Sequence, residues 1–497
     1  MKRGIIPLLN NIEIRFNRKD FEYDVYSLVK AFYPQSQVEM FYGDEKGKGE
    51  YGLVLLVTYG DQEICVEAEK DKKVIGRQRA AVAYEKDRKE TKNVLKRLVY
   101  EMLCEQTGHT LPWGNLTGIR PTKIPMKLLE NGWKNTEIAA YLRETYGVSK
   151  EKTALAVAIA NREKALLDEL DYEKGYSLYV GIPFCPSICL YCSFGSHPLE
   201  RWKKRVDEYL DALCRELTFI GEEMKGRSLN TVYIGGGTPT TLEPEQLRRL
   251  LGHIQKTFGF SKVREYTVEA GRPDSITREK LQALREFPVT RISVNPQTMN
   301  QKTLDIIGRK HTVEDTVEIF HMARDLGFEN INMDLIIGLP GEGKAEVEHT
   351  LEEIRKLHPD SLTIHSLALK RATRLHLFKD QYTEMSFENS QEIMEMTQQC
   401  ARDLGLNPYY LYRQKNMAGN FENVGYAEVD KEGIYNILIM EEKQTILAAG
   451  AGASTKFVFQ HGERIERVEN VKDVNQYIQR LDEMLERKRA GIAAYLE

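Results

Sequence analysis

Short apolar runs alternate with amphipathic stretches from about residue 175 to 370. The runs at 177–183, 231–234, 265–270, 291–294, 330–337 and 361–367 predict strands. Helical spacing at 201–223, 244–258, 277–287, 301–307, 313–326 and 345–357 predicts helices in the gaps. Six strand–helix units in succession imply a parallel sheet with right-handed crossovers. They suggest an α/β architecture, a curved and incomplete (β/α)6 barrel whose working loops follow the C-terminal ends of the strands.

Residues 1–170 read as a separate α+β accessory domain. Positions 11–16 alternate like a strand, and 21–31 have helical spacing. Positions 51–59 and 63–67 read as further strands, and 154–170 as a connecting helix. Eleven Lys or Arg stand against four Asp or Glu between Lys70 and Arg97. This run is expected to be the solvated face of a helix rather than a site for an acidic ligand. The barrel is expected over 171–375, with a C-terminal α+β extension covering it over 376–497. That extension reads as a helix near 392–404, an irregular stretch over 407–426, two strands, and a charged helix over 471–489.

Composition narrows the class. The 497 residues are 41% hydrophobic and 29% charged, enough apolar material for at least one large core. A net charge of −4 gives no global field favouring nucleic acid. No apolar run approaches the roughly 20 residues that span a bilayer, and the opening residues turn polar too soon for a signal peptide. Seven cysteines, an odd number, argue against a disulfide framework and for a reducing, cytoplasmic setting. Cys65, Cys104, Cys214 and Cys400 are expected to be buried thiols.

The other three cysteines share one loop. Cys185, Cys189 and Cys192 are spaced C-x3-C-x2-C directly after the first strand of the barrel, on its working face. Three thiolates can hold three corners of a cubane iron–sulfur cluster and leave one iron open to a substrate or cofactor. A zinc site completed by His197 is the alternative. Structural zinc, however, usually pairs two short clusters across a small domain. One unit later comes Gly235-Gly236-Gly237-Thr238-Pro239, where a ligand can approach the backbone and N–H groups are expected to be exposed. The apolar strand Asn332-Met333-Asp334-Leu335-Ile336-Ile337 carries an acid near its middle, costly unless paired or used.

These three motifs, in this order, resemble the radical S-adenosylmethionine (SAM) superfamily. Within it, they resemble the oxygen-independent coproporphyrinogen III oxidases (dehydrogenases), over about 176–453. Gly308-Arg309-Lys310-His311 and Gly338-Leu339-Pro340 fit the same pattern. The resemblance implies that Cys185, Cys189 and Cys192 bind a 4Fe–4S cluster. It implies that Gly236, Gly237 and Thr238 contact the methionine part of S-adenosyl-L-methionine. Glu269, Gln297 and Asp334 match further cofactor-binding positions, Arg309 the arginine that meets the cofactor carboxylate, and Phe194 a residue beside the adenine. Tyr179, Gln297 and Arg309 are the implied catalytic positions, with Tyr179 supporting the cluster region.

The implied reaction is oxidative decarboxylation of two propionates of coproporphyrinogen III, giving protoporphyrinogen IX in haem biosynthesis by way of a 5′-deoxyadenosyl radical. A flavodoxin or ferredoxin would donate electrons. Arg309, Lys370, Arg371 and Arg413 are cations available to a tetracarboxylate. Gly181, Phe194 and Pro296 depart from the usual pattern, as does the N-terminal domain that stands in place of a C-terminal helical module. Members of this kind act as haem-binding chaperones or in other tetrapyrrole reactions. A haem-binding role would need His311, His365 or a cysteine on the haem iron.

Overall fold

The structure is a computed structural model. It describes residues 11–82, 87–368, 373, 375, 389–414, 421–459, 462 and 464–496. The chain forms two compact units, 1–158 and 159–497.

The first unit has a five-stranded sheet in the order β2-β1-β3-β4-β5. The strands are β1 (Asn11–Phe16), β2 (Gln37–Tyr42), β3 (Leu53–Tyr59), β4 (Glu63–Lys70) and β5 (Lys73–Ala81). Helices Glu22–Phe32 and Arg88–Thr107 bury Val25, Leu28, Val29 and Phe32, and Val94, Leu95, Leu98, Val99 and Met102, in one core with the sheet. The basic run therefore begins as an edge strand, not as a helix face. Every second residue of β5 is exposed, and Arg77 pairs with Glu67 on the neighbouring strand. Cross-strand pairing of this kind neutralises part of the run.

In the second unit, six parallel strands run in chain order: β6 (Tyr176–Ile182), β9 (Leu229–Gly236), β10 (Glu265–Gly271), β11 (Arg291–Val294), β12 (Ile331–Ile337) and β13 (Ser361–Ser366). Between β6 and β9, the short strands β7 (Phe184–Cys185) and β8 (His197–Pro198) pair with each other. Near-continuous burial of β6, β9 and β12 is what a sheet covered on both faces requires. The connecting helices show why the spacing was readable. Pro244–Thr257 starts with proline and a Glu243/Gln246 capping box, then buries Leu247, Leu250, Leu251 and Ile254 at intervals of three and four.

The C-terminal region differs from the sequence reading. The stretch over 407–426 holds two strands, β14 (Asn407–Tyr412) and β15 (Asn423–Ala427), which extend the sheet antiparallel beyond β13. Pro408, at the strand start where no ladder donor is needed, masked the first of these. The other edge carries three strands rather than two. They are β16 (Thr445–Ala449), parallel to β6, and then β17 (Ser454–Phe459) and β18 (Arg464–Glu469). The final helix is two, Val474–Gln479 and Leu481–Tyr495. Of the four cysteines outside the triplet, Cys400 is buried, whereas Cys65, Cys104 and Cys214 are only partly covered. Among the described residues no helix is long and apolar enough to cross a membrane.

A buried charge ties the last helix to the barrel. Glu216 and Lys488 are both fully buried, and Lys488 Nζ lies 2.7 Å from Glu216 Oε1. The carboxylate also accepts from Asn470 Nδ2 at 2.8 Å, Tyr477 Oη at 2.6 Å and the Gly450 amide at 2.8 Å. Substituting Lys488→Met leaves that carboxylate without its ammonium. It should lower unfolding stability by about 3–5 kcal/mol, read as a lower urea midpoint.

Candidate functional site

The cysteine loop leaves β6 at the C-terminal end of the barrel. Its path is fixed residue by residue. The His197 amide donates to Pro183 O at 2.7 Å, closing the loop at its base. Leu190 is buried against Leu304, Ile307, Ile336, Leu339, Leu367 and Leu375, so an apolar anchor sits between the second and third cysteines. The Leu190 amide donates to Ile307 O at 2.9 Å, and Ser187 Oγ to Gly308 O at 3.0 Å. Cys185 and Cys189 are buried and Cys192 is partly covered. Burial pushes the Cys185 and Cys192 thiols up, so thiolates here need compensating positive charge. His197 packs edge-on against Trp202, ring centroids 5.5 Å apart. No group of three or more His, Cys, Asp or Glu among the described residues is arranged around a single metal ion.

The glycine turn does not expose its amides as expected. Gly237 N–H donates to Ile182 O and Thr238 N–H to Phe184 O, both at 2.7 Å, and Gly236 N–H is directed at Glu269. The glycines instead permit close approach of one backbone to another. A Cβ on Gly237 would lie 2.5 Å from Phe184 O and 2.9 Å from Ile182 O. Gly236 has φ +107°, a conformation that favours glycine. The turn thereby joins the strand that enters the cysteine loop, and Thr238 Oγ1 donates to Cys185 Sγ at 3.5 Å.

Two buried guanidinium groups flank Cys189. Arg309 donates to Asn295 O at 2.5 Å and to Tyr191 Oη at 3.2 Å, while its Nε has no partner. Burial opposes its charge, but Tyr191 and Cys189 hold Arg309 above the usual guanidinium range. The sequence alone does not single out Arg272. Its signal was a cation between turn formers, Gly271-Arg272-Pro273-Asp274, directly after a strand. It donates to Cys189 Sγ at 3.5 Å and to Ser187 O at 2.8 Å.

Further into the barrel stand two carboxylates in different states. Glu269 accepts from Tyr233 Oη, and burial, aided by the charge of Asp334, pushes it up to about 7. Burial acts on Asp334 too. His365, with Nε2 3.9 Å from Oδ2, and then Asn332 Nδ2, which donates at 2.7 Å, nevertheless hold it below its usual range. Tyr179 stacks with Tyr233 and Tyr435, and burial raises its hydroxyl well above the usual range. Gln297 takes a left-handed φ of +69°, fixed by its amide bond to Asp334 O and by Ile336 N–H to its own carbonyl. Its Oε1 is buried and unpartnered. Phe194 is 72% exposed. The structure thus sets Cys185, Cys189 and Cys192 on one loop, with the Cys192 amide on Cys189 O at 3.1 Å, Gly237 and Thr238 bonded to the segment that carries Cys185, and Arg309 on Tyr191 of the same loop. Gln297 and Asp334 are joined to each other through the backbone of β12, and Tyr179 meets Tyr233, the partner of Glu269, through its ring stack. Lys370 and Arg371 lie outside the described residues.

The Radical SAM superfamily profile matches residues 179–354. Over 471 residues, 93% of each chain, this sequence is 40% identical to the oxygen-independent coproporphyrinogen-III oxidase-like protein HemZ of Bacillus subtilis. The chain belongs to the coproporphyrinogen III oxidase-like family of radical SAM proteins. The haem chaperone HemW of Bacillus subtilis is 38% identical over 211 residues, covering 40% of this chain and 55% of that one. The solved structure of coproporphyrinogen III oxidase (HemN) from Escherichia coli aligns with TM-score 0.52 and 25% identity, covering 65% of this chain and 73% of that one. The α/β partial barrel expected from the strand pattern is therefore the family's fold. Membership implies S-adenosylmethionine and a 4Fe–4S cluster.

Two outcomes test the site's construction. Gly237→Ala should cost about 1–3 kcal/mol through the clash with Phe184 and Ile182. Gly195→Ala, where a Cβ meets nothing within 4 Å, should leave the melting temperature unchanged. Folded Glu269 keeps its proton between its ordinary value of 4.5 and about 7, where the unfolded chain has lost it. Stability from this group therefore falls as pH rises through that window. Denaturation at stepped pH should show the wild-type decline reduced in Glu269→Gln.

Proposed function

We propose that this chain carries out oxygen-independent oxidative decarboxylation of propionate side chains on a reduced tetrapyrrole, converting coproporphyrinogen III to protoporphyrinogen IX. The observation that carries the reading is the three-thiol loop held against a glycine turn and two buried cations at the C-terminal mouth of the barrel. It is supported by the likeness to the HemZ protein along nearly the whole chain. The donor set fits a cubane cluster: three sulfur ligands on one loop, two of them buried and one partly covered, no carboxylate on it, and guanidinium charge beside it. Cys185, Cys189 and Cys192 would hold that cluster, and Gly236, Gly237, Thr238, Glu269, Gln297, Arg309 and Asp334 would surround S-adenosylmethionine. When bound, the two groups together supply a carbon radical able to take a hydrogen atom from an unactivated carbon.

The chain's own residues bind, orient and shield. Arg309 presents a permanently charged guanidinium to a carboxylate. Asp334 is held as a carboxylate, whereas Glu269 keeps its proton up to about pH 7, so below that value one accepts where the other can donate. The stacked rings of Tyr179, Tyr233 and Tyr435 fill the interior and exclude water beneath the site. Each propionate would give one hydrogen atom to the carbon radical and one electron to an external electron acceptor, and lose carbon dioxide, which leaves a vinyl group. Arg413, the other described cation the sequence offered, is buried beside the charge of Glu422, and burial pushes it down to about 10. A flavodoxin or ferredoxin supplies the reducing electron.

A haem-carrying role, the one in the HemW name, has less support from the candidate ligands. His311 is 1% exposed with neither ring nitrogen partnered, and burial and Arg309 push it down to about 4. His365 stands between Asp334 and Tyr412, whose Oη is 3.3 Å from Nδ1.

The test is anaerobic reconstitution with iron and sulfide, followed by reductant, S-adenosylmethionine and coproporphyrinogen III. Mass spectrometry should show two successive decarboxylations together with 5′-deoxyadenosine, and Cys189→Ser should abolish both. Cofactor cleavage without decarboxylated product would reject this substrate, and retained product in Cys189→Ser would reject the role of the cysteine loop.

A further inference from the structure

Arg272 occupies a position that none of the roles above explains. It follows β10, whose pairing with β11 shifts register between Glu269 and Gly271, and it is 4% exposed. All three guanidinium nitrogens are engaged. Nε donates to Asp274 Oδ1 at 2.9 Å and Nη2 to Asp274 Oδ2 at 2.6 Å, a two-point pair along one edge. Nη1 turns the other way, to Ser187 O at 2.8 Å, Ser187 Oγ at 3.0 Å and Cys189 Sγ at 3.5 Å. With one edge on Asp274 and the opposite nitrogen on the cysteine loop, Arg272 faces inward. It is built to act on the loop rather than to bind a substrate carboxylate.

We propose that Arg272 is a positioning residue that raises the reduction potential of the cluster held by Cys185, Cys189 and Cys192. It does so by donating an N–H···S bond to Cys189 while Asp274 fixes its orientation. The proposal rests on the cluster reading above. Three thiolates on a doubly charged cubane leave one net negative charge, and reduction adds a second. A buried permanent cation with an N–H on a ligand sulfur stabilises the added electron, and hydrogen bonds to sulfur are among the levers that set such potentials. The donors are asymmetric. Cys185 receives the neutral hydroxyl of Thr238, whereas Cys189 receives the charged group. Lysine could supply the charge but not the planar fork that meets Asp274 and Cys189 together.

The experiment is a dithionite titration of reconstituted full-length protein, followed by electron paramagnetic resonance. It is run on wild type, Arg272→Gln and Arg272→Lys without S-adenosylmethionine, with iron content and circular dichroism measured beside it. In Arg272→Gln the reduction equilibrium should shift at least tenfold toward the oxidised cluster, 59 mV for a one-electron couple. Arg272→Lys should shift in the same direction by less. An assembled Gln variant within threefold of the wild-type equilibrium overturns the proposal. So does loss of the cluster from both variants with native circular dichroism, because a residue that only tunes is not needed for assembly. Wild-type protein that forms no cubane cluster is a different result, and it fails the cluster reading itself.

Discussion

Two backbone hydrogen bonds hold the mouth of the barrel together: Gly237 N–H to Ile182 and Thr238 N–H to Phe184. They fasten the turn after the second barrel strand to the segment that carries the first cysteine. Neither bond keeps this geometry with a side chain at position 237, because a Cβ there would lie inside contact distance of both carbonyls. Several features follow from that constraint. Thr238 is delivered to Cys185, and Gly236 turns its amide toward Glu269. Glu269 in turn takes the hydroxyl of Tyr233, within the tyrosine stack. One missing methyl group thus links sequence to loop geometry and to the charge state of the interior.

Buried charge is the second organising element, and it is handled the same way each time. An isolated buried ion is too costly to persist, so each is surrounded by donors or held against a counter-charge. Glu216 is met by Lys488, Asn470, Tyr477 and the Gly450 amide. That network fixes the turn after β16, whose neighbour Ala451 donates to Tyr209 Oη, which itself donates to Gly181 O at the end of β6. The last helix of the chain is therefore wired to the strand that enters the cysteine loop. Arg272 repeats the pattern with Asp274 on one side and the loop on the other.

The barrel was legible because its constraint is periodic. Parallel strands covered on both faces leave short apolar runs, and their helices leave three-and-four spacing, as at Leu247, Leu250, Leu251 and Ile254. The cysteine triplet and the glycine run were legible because spacing itself carries the chemistry. What spacing could not show was the use of each polar group. The amides of the glycine turn read as available to a ligand, yet those of Gly237 and Thr238 are taken by Ile182 and Phe184, since backbone partners come from tertiary contact. Arg272 is separated from Cys189 by 83 positions and meets it only in the fold. Strand β5 was hidden by its lysines and arginines, because an edge strand need bury only alternate residues. Strand β14 was hidden by the proline at its start.

Glu269 and Asp334 show how one interior can hold two acids in opposite states. Both lie within the same barrel, and burial pushes each toward the neutral form. Asp334 escapes because Asn332, two residues along the same strand, donates to it, and His365 on the adjacent strand faces it. Glu269 receives a tyrosine hydroxyl and a glycine amide, which do not outweigh burial and the nearby charge of Asp334. The ionised acid thus helps keep its neighbour neutral, since two carboxylates in a poorly solvated space do not both ionise freely. Below about pH 7 the pair is therefore ordered, with an acceptor at Asp334 and a proton at Glu269, and above it the order is lost as Glu269 ionises against the charge already at Asp334.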